Sequence, residues 1–210
     1  MLSFGIFVSG SKMIYCIRHG QTDWNSEKRM QGITDIPLND RGIFEARLAA
    51  KEVSKIKWDR IISSPLSRAC QTAEILNQRI GLQIETDERL AELNLGNLEG
   101  KSLSLLTPRM WEILGKEPQK IKAEGLPAAY DRIDDFMRAL DFSKNTLIIT
   151  HSGLFRAIAY YMQNPNGFNY DAFSPRYRDL GIPNTTLIPV KPIDLDFLRG
   201  MKYNTQNSKG

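Results

Sequence analysis

The sequence holds only two histidines, His19 and His151, and each follows a short apolar run. MIYCIR (13–18) leads into Arg18-His19-Gly20, and TLIIT (146–150) leads into His151-Ser152-Gly153. A third run, RIISS (60–64), continues into Ser64-Pro65-Leu66-Ser67-Arg68. Short, nearly continuous apolar runs mark strands buried on both faces. Ligands of parallel sheets collect beyond the carboxyl ends of such strands. Two imidazoles and two guanidiniums are thereby aimed at one rim, where helix N-termini would add free N–H groups and partial positive charge. Such a rim traps anions. Taken singly, a histidine beside an arginine is more often structural than catalytic, and Arg68 alone would serve as a surface partner of Glu74 or Asp87. The placing of both histidines at strand ends is what points to function.

The segments between these runs have helical period. Ala46, Ala49, Ala50, Val53 and Ile56 form one stripe, with Asn39 or Asp40 as N-cap. Ala69, Ala73, Leu76 and Ile80 form another, with Ser64 as cap and Pro65 at the first helical position. Ala129, Ile133, Phe136, Met137 and Leu140 make a third, and LFRAIAYYM (154–162), capped by Ser152, a fourth. LQIETD (82–87) and TTLIPV (185–190) read as further strands. The alternation predicts an α/β fold, a three-layer sandwich with a mainly parallel central sheet and helices on both faces. We expect one domain over 13–190, between an N-terminal extension (1–12) and a C-terminal tail (191–210). Residues 101–127 read as a variable insert. Residues 164–183, rich in Pro, Gly, Asn and aromatics, read as a lid or binding loop.

Composition narrows the class. With 210 residues, 41% apolar and 25% charged, the chain is neither disordered, collagen-like nor coiled-coil. No apolar stretch approaches the ~18 to 20 residues of a membrane span. The opening MLSFGIFVSGSK, without a basic start or small-residue cleavage site, reads as a poor signal peptide, and two cysteines, too few for a disulfide framework, lead us to expect a reduced cytoplasmic protein. Cys16 and Cys70 then read as reduced, small apolar residues. Two histidines and no C-x-x-C argue against structural zinc. A net charge of +4 is scattered and accompanies no nucleic-acid motif, so it reads as solvated surface. Other phosphate chemistries fail on spacing. A cysteine phosphatase needs arginine six positions after the cysteine, where this chain has Thr22 and Leu76. IDLDFL (193–198) sits too near the C-terminus to serve as an aspartate nucleophile motif, and neither a P-loop nor a G-x-S-x-G elbow occurs.

Five segments in order carry a resemblance: RHGQTDWN (18–25), QGITDIPLNDRG (31–42), SSPLSRACQTAEI (63–75), LAELNLGNLEG (90–100) and THSGLFRAI (150–158). Together they resemble the histidine phosphatase superfamily, which includes cofactor-dependent phosphoglycerate mutases, fructose-2,6-bisphosphatase and broad phosphatases. The resemblance implies a phosphoglycerate mutase-like fold and a phosphohistidine intermediate on His19, formed by attack of the neutral imidazole. It implies that Arg18, Arg68 and a protonated His151 neutralise the phosphoryl oxygens, and that Asn25 closes the pocket. Glu92 would protonate the leaving alkoxide and then deprotonate water. Gln31, Gly32, Ser152 and Gly153 would line the substrate. No cofactor and no metal is implied.

Two positions depart from the family pattern. Leu98-Glu99-Gly100 stands where Trp-Glu-Gly is usual, and Ser152 where Gly is common. Mutases of the family usually carry a longer insert with Tyr-Glu-Arg; here that stretch has Lys101, Arg109, Lys116, Lys120 and Lys122 but no such tripeptide. The expectation is therefore a phosphatase acting on a small phosphorylated metabolite. A mutase, and a non-turnover module that binds phosphorylated ligands, are the alternatives. Nucleic acid and membrane are not expected partners, and the assembly is expected to be a monomer or homodimer. Lysines 116–122 read as a wet helix face or a second anion site. Trp111, with Leu105, Leu106 and Ile113, reads as a lid or as core. Arg176 and Arg178 read as substrate contacts.

Overall fold

The computed structural model describes residues 12–177, 180 and 182–190. Five strands form the central sheet: β1 (Ile14–Arg18), β2 (Arg60–Ser63), β3 (Ile84–Thr86), β4 (Thr146–Thr150) and β5 (Leu187–Pro189). Their order is β3-β2-β4-β1-β5. The first four run parallel, with Cys16 opposite Ile148 and Ile62 opposite Ile148 on the other side, while β5 runs antiparallel to β1. The expected mainly parallel sheet is present.

Strand side chains alternate between the faces, so each apolar run feeds two cores. Tyr15, Ile17, Ile61, Leu147 and Ile149 pack under α2 (Asp40–Val53) and α3 (Ser67–Asn77), which contribute Ala50, Val53, Ala69, Ala73 and Leu76. Ile14, Cys16, Ile62 and Ile148 pack under α5 (Leu126–Ala139) and α6 (Ser152–Tyr161). The small alanines let α2 and α3 lie close to the sheet. Three layers result.

Helix starts differ in detail from the sequence expectation. Asn39 caps α2 as expected, accepting from the Gly42 N–H at 2.9 Å. α3 begins at Ser67, not at Pro65, and Ser64 does not cap it. Asp35 does that work from a preceding loop, accepting from the Ser67 N–H at 2.8 Å. α6 begins at Ser152 with His151 as N-cap, and no side chain of its own caps it. A short helix, α1 (Asp23–Ser26), follows β1 and is closed by a reciprocal Thr22–Asn25 capping box.

The two irregular stretches resolve differently. Between β3 and α5 the chain makes short 3-10 turns and one helix, α4 (Pro108–Lys116), capped by Thr107. Residues 164–183, expected as a loop, contain α7 (Tyr170–Tyr177). Phe173 and Tyr177 are buried against Tyr160, in an aromatic cluster with Tyr130 and Phe168. Burial of these rings fixes the middle of the segment in the core, and among its described residues only the end reaches the site described below. Residues 1–11 of the expected extension (1–12), the tail 191–210, Arg178 and the Arg176 side chain lie outside the described residues. No described helix is long and apolar enough to cross a membrane.

Candidate active site

The ladder of the sheet continues one residue past the strand ends. The His19 N–H donates to the Thr150 carbonyl at 3.0 Å, and the Ser64 N–H to the Ile149 carbonyl at 2.9 Å. His19, Ser64 and His151 are thus set side by side at the carboxyl edge. The two imidazole centroids lie 5.1 Å apart. The anion rim expected from the sequence is a single place.

A cleft of ≈ 630 Å³ opens over this edge. Arg18, His19, Asn25, Gln31, Gly32, Arg68, Glu92, Ser152 and Gly153 all line it. His151, fully buried, does not; it lies behind Arg68.

His19 is buried, and its Nδ1 lies 2.7 Å from the Gly20 carbonyl oxygen. A carbonyl accepts only, so the ring proton sits on Nδ1 and Nε2 presents a lone pair. Burial, and then the charges of Arg18 and Arg68, hold the imidazole well below its usual pKa, against a smaller opposing effect of the Gly20 carbonyl. The neutral ring follows from its surroundings.

His151 differs from the expectation of a protonated ring. Arg68 donates Nε–H to His151 Nδ1 at 3.3 Å, and His151 Nε2 lies 2.7 Å from Ser64 Oγ. An imidazole that accepts at Nδ1 is neutral, with its proton on Nε2. Burial, with Arg68 and then His19 and Arg18 beside it, holds this ring too well below its usual pKa.

Arg68 is completely buried. Its NH1 donates to the Thr34 carbonyl at 2.9 Å and its NH2 to the Gly32 carbonyl at 2.7 Å. Arg18 donates NH1 to the Ile182 carbonyl at 2.7 Å, and its buried Nε has no protein partner. Burial lowers the Arg18 pKa to about 10, with Glu92 opposing the shift, and burial also lowers that of Arg68. Both stay cationic near neutral pH.

Glu92 takes the place of the cap that α6 lacks. Its carboxylate accepts from the backbone N–H groups of Gly153 at 3.0 Å and Leu154 at 2.9 Å, and from its own neighbour Leu93 at 2.9 Å. A helix N-terminus leaves such donors free and favours a negative group. Gly153 is required here by close approach, since a β-carbon would collide with Glu92 Oε1. Arg132 of α5 holds the same segment from behind, donating to the carbonyls of Arg89 and Ala91 at 2.6 and 2.8 Å. Asn25, at the edge of the cleft, accepts from the Thr22 N–H with its side-chain carbonyl at 3.2 Å.

Three residues of the site were not singled out in the sequence. Asn184 donates Nδ2–H to the His19 carbonyl at 2.7 Å. It follows directly on the 164–183 segment, with no local signal to reveal it. Arg156 lines the cleft one turn into α6, over the Trp111 ring, and donates to Ser152. Its spacing of four from Ser152 was the available clue. Ser64 was read as a cap and instead holds His151. The apolar side of the cleft comes from Leu93, Leu95, Leu103, Leu106 and Trp111. Lys116 and Lys120 face solvent, Lys116 paired with Asp171 of α7 and Lys120 with Glu117.

Fold and site together define an α/β protein with a buried histidine–arginine centre at its sheet edge. Residues 14–186 match the pattern of the histidine phosphatase superfamily (branch 1), and the chain belongs to that superfamily. Its sequence is similar to "Probable phosphoglycerate mutase GpmB" of Yersinia pestis (strain Pestoides F), 46% identical over 95 residues, 45% of this chain. That match spans 44% of the relative's length, less than half. The fold is similar to that of a mycobacterial glucosyl-3-phosphoglycerate phosphatase in complex with VO3, at a TM-score of 0.71 and 25% identity, covering 85% of this chain and 90% of that one. It is also similar to TTHB049 from Thermus thermophilus, at a TM-score of 0.65 and 28% identity, covering 85% of this chain and 93% of that one. The phosphoglycerate mutase-like α/β architecture expected from the five segments is thereby established.

Proposed function

We propose that the protein is a phosphatase that hydrolyses a small phosphomonoester in two steps through phosphohistidine on His19. In the first step the Nε2 lone pair attacks phosphorus, the ester P–O bond breaks, and Glu92 gives its proton to the departing alkoxide. In the second step Glu92 takes a proton from water, the water oxygen attacks phosphorus, and the P–N bond breaks to release phosphate. Arg18 and Arg68 neutralise charge on the phosphoryl oxygens as they pass through the transition state.

The observation that carries this reading is the His19 ring, with Nδ1 committed to the Gly20 carbonyl and Nε2 left for the cleft. A module that only bound phosphate would need neither a fixed tautomer nor a carboxylate across the cleft. The orphaned Arg18 Nε, buried at the cleft, is a donor that a phosphoryl oxygen satisfies. Asn25, Gln31, Gly32, Ser152 and Gly153 are the substrate-binding set. Arg156 and the apolar wall face the body of the ester, which favours a small metabolite over a polymer or a membrane surface. We place the reaction in the cytoplasm.

A mutase is the second reading, and the name of the phosphoglycerate mutase relatives favours it. One experiment separates the readings. Wild type and His19→Ala are incubated with p-nitrophenyl phosphate and, separately, with 2- and 3-phosphoglycerate. Free phosphate from wild type alone supports hydrolysis. Exchange of the isomers without phosphate release makes the protein a mutase, and phosphate binding with no turnover makes it a binding module.

A further inference from the structure

Arg68 has no exposed surface, yet among the described residues no carboxylate hydrogen-bonds to it. Its two terminal nitrogens are held by main-chain carbonyls of the 32–34 loop, so its aim depends on what fixes that loop.

Glu99 does so. Its Oε1 accepts from the Ile33 N–H at 3.0 Å and the Leu95 N–H at 3.1 Å. Its Oε2 accepts from the Thr34 N–H at 3.0 Å and from the Thr34 hydroxyl. Gly32 has φ +56°, and a β-carbon there would collide with Glu99 Oε1, so the loop and the carboxylate are fitted to each other. The decisive feature is one peptide unit. The Gly32 carbonyl that receives Arg68 and the Ile33 N–H that reaches Glu99 belong to the same planar group. Fixing the direction of that N–H fixes the direction of its C=O. Glu99 itself does not line the cleft.

On the phosphoryl-transfer reading of the site, we propose that Glu99 is a positioning residue: its carboxylate sets the 32–33 peptide, and that peptide aims the Arg68 guanidinium at the phosphoryl group. The Leu95 contact ties the same carboxylate to the apolar wall, so floor and wall share this one anchor.

The test is a double-mutant cycle of Glu99→Gln and Arg68→Lys, read as the affinity for inorganic phosphate by calorimetry, with thermal unfolding run on all four proteins. An amide at position 99 keeps one acceptor and turns a donor toward the loop N–H groups. Glu99→Gln should weaken phosphate binding about tenfold beside Arg68 and less than about twofold in the Arg68→Lys background. A general loosening of the fold would lower affinity equally in both. Equal losses, or no loss beside Arg68, overturn the proposal. Should Glu99→Gln fail to fold, Thr34→Val removes only the hydroxyl contact and should give a smaller loss with the same dependence on Arg68. Because the cycle is read in binding, its failure is distinct from failure of the hydrolytic reading, which the p-nitrophenyl phosphate assay tests by itself.

Discussion

The floor and the apolar wall of the cleft are built by different means. The floor rests on strand ends: His19, which lines the cleft, and Ser64 and His151 beside it each come directly after a parallel strand, and ladder hydrogen bonds set their spacing to that of neighbouring strands. All three are buried; His151 is directed by Arg68 and Ser64 from other elements, and the His19 ring by the neighbouring Gly20 carbonyl. The wall, between residues 93 and 116, is 3-10 turns and one short helix, with Leu103 half-exposed and Trp111 packed into the core. Its shape owes little to the sheet. A floor fixed by the sheet suits the shared chemistry of phosphoryl transfer, while a wall free of the sheet can change with the substrate body.

Substitutions on the floor should therefore cost rate, and substitutions in the wall should cost selectivity. The largest effect is expected from His19→Ala, which removes the proposed nucleophile and should abolish p-nitrophenyl phosphate turnover. Residual turnover through another nucleophile would break the assignment of the floor.

Glu92→Gln comes next. It should slow alkyl phosphates by about a hundredfold or more, and p-nitrophenyl phosphate far less, because p-nitrophenolate leaves without a proton. Equal losses on the two esters would remove Glu92 from acid–base work. Gly153→Ala tests the same carboxylate from below. The added methyl displaces Glu92 from the start of α6, and misplacement of this kind costs on the order of a hundredfold in kcat.

In the wall, Leu106→Ala should raise KM for esters with bulky apolar bodies a few-fold and change kcat less. A large kcat effect would mean that the wall also sets the reacting geometry.

The smallest effect is in pH. Both imidazoles are held well below the ordinary histidine value of 6.5 by burial and neighbouring arginines. His19 then stays neutral as the pH falls through 6.5, so kcat/KM should show no acid limb there. Stability behaves oppositely. Below about 6.5 the unfolded histidines bind protons that the folded ones do not, so the thermal midpoint should fall as acid is added. Above that value these two groups contribute no pH dependence. An acid limb at 6.5 in the rate profile would show that the floor does not hold His19 neutral.

Much of this floor was legible from the residues alone. MIYCIR, RIISS and TLIIT are apolar on both faces, and only a strand between two helical layers buries both. Residues just past such strands must lie at the sheet edge, so His19, Arg68 and His151 could be placed there from the sequence. Helix termini were less legible. Ser64, Pro65 and Ser152 satisfy the local rules for caps, but Asp35 and Glu92 take the caps from distant parts of the chain. The protonated His151 that the resemblance implies gives way to a neutral ring, since Arg68 and Ser64 decide its state and neither is near it in sequence.

The sequence by itself determined the layers, the strand ends and the set of reactive side chains, because periodicity and residue type are local properties. The tertiary structure alone decided which nitrogen of each imidazole carries the proton, and that Glu99 reaches Arg68 through a shared peptide. It also decided that Asn184 closes on the His19 carbonyl across 165 positions. Hydrogen bonds between distant segments have no period and no composition, and they exist only once the chain has folded around them.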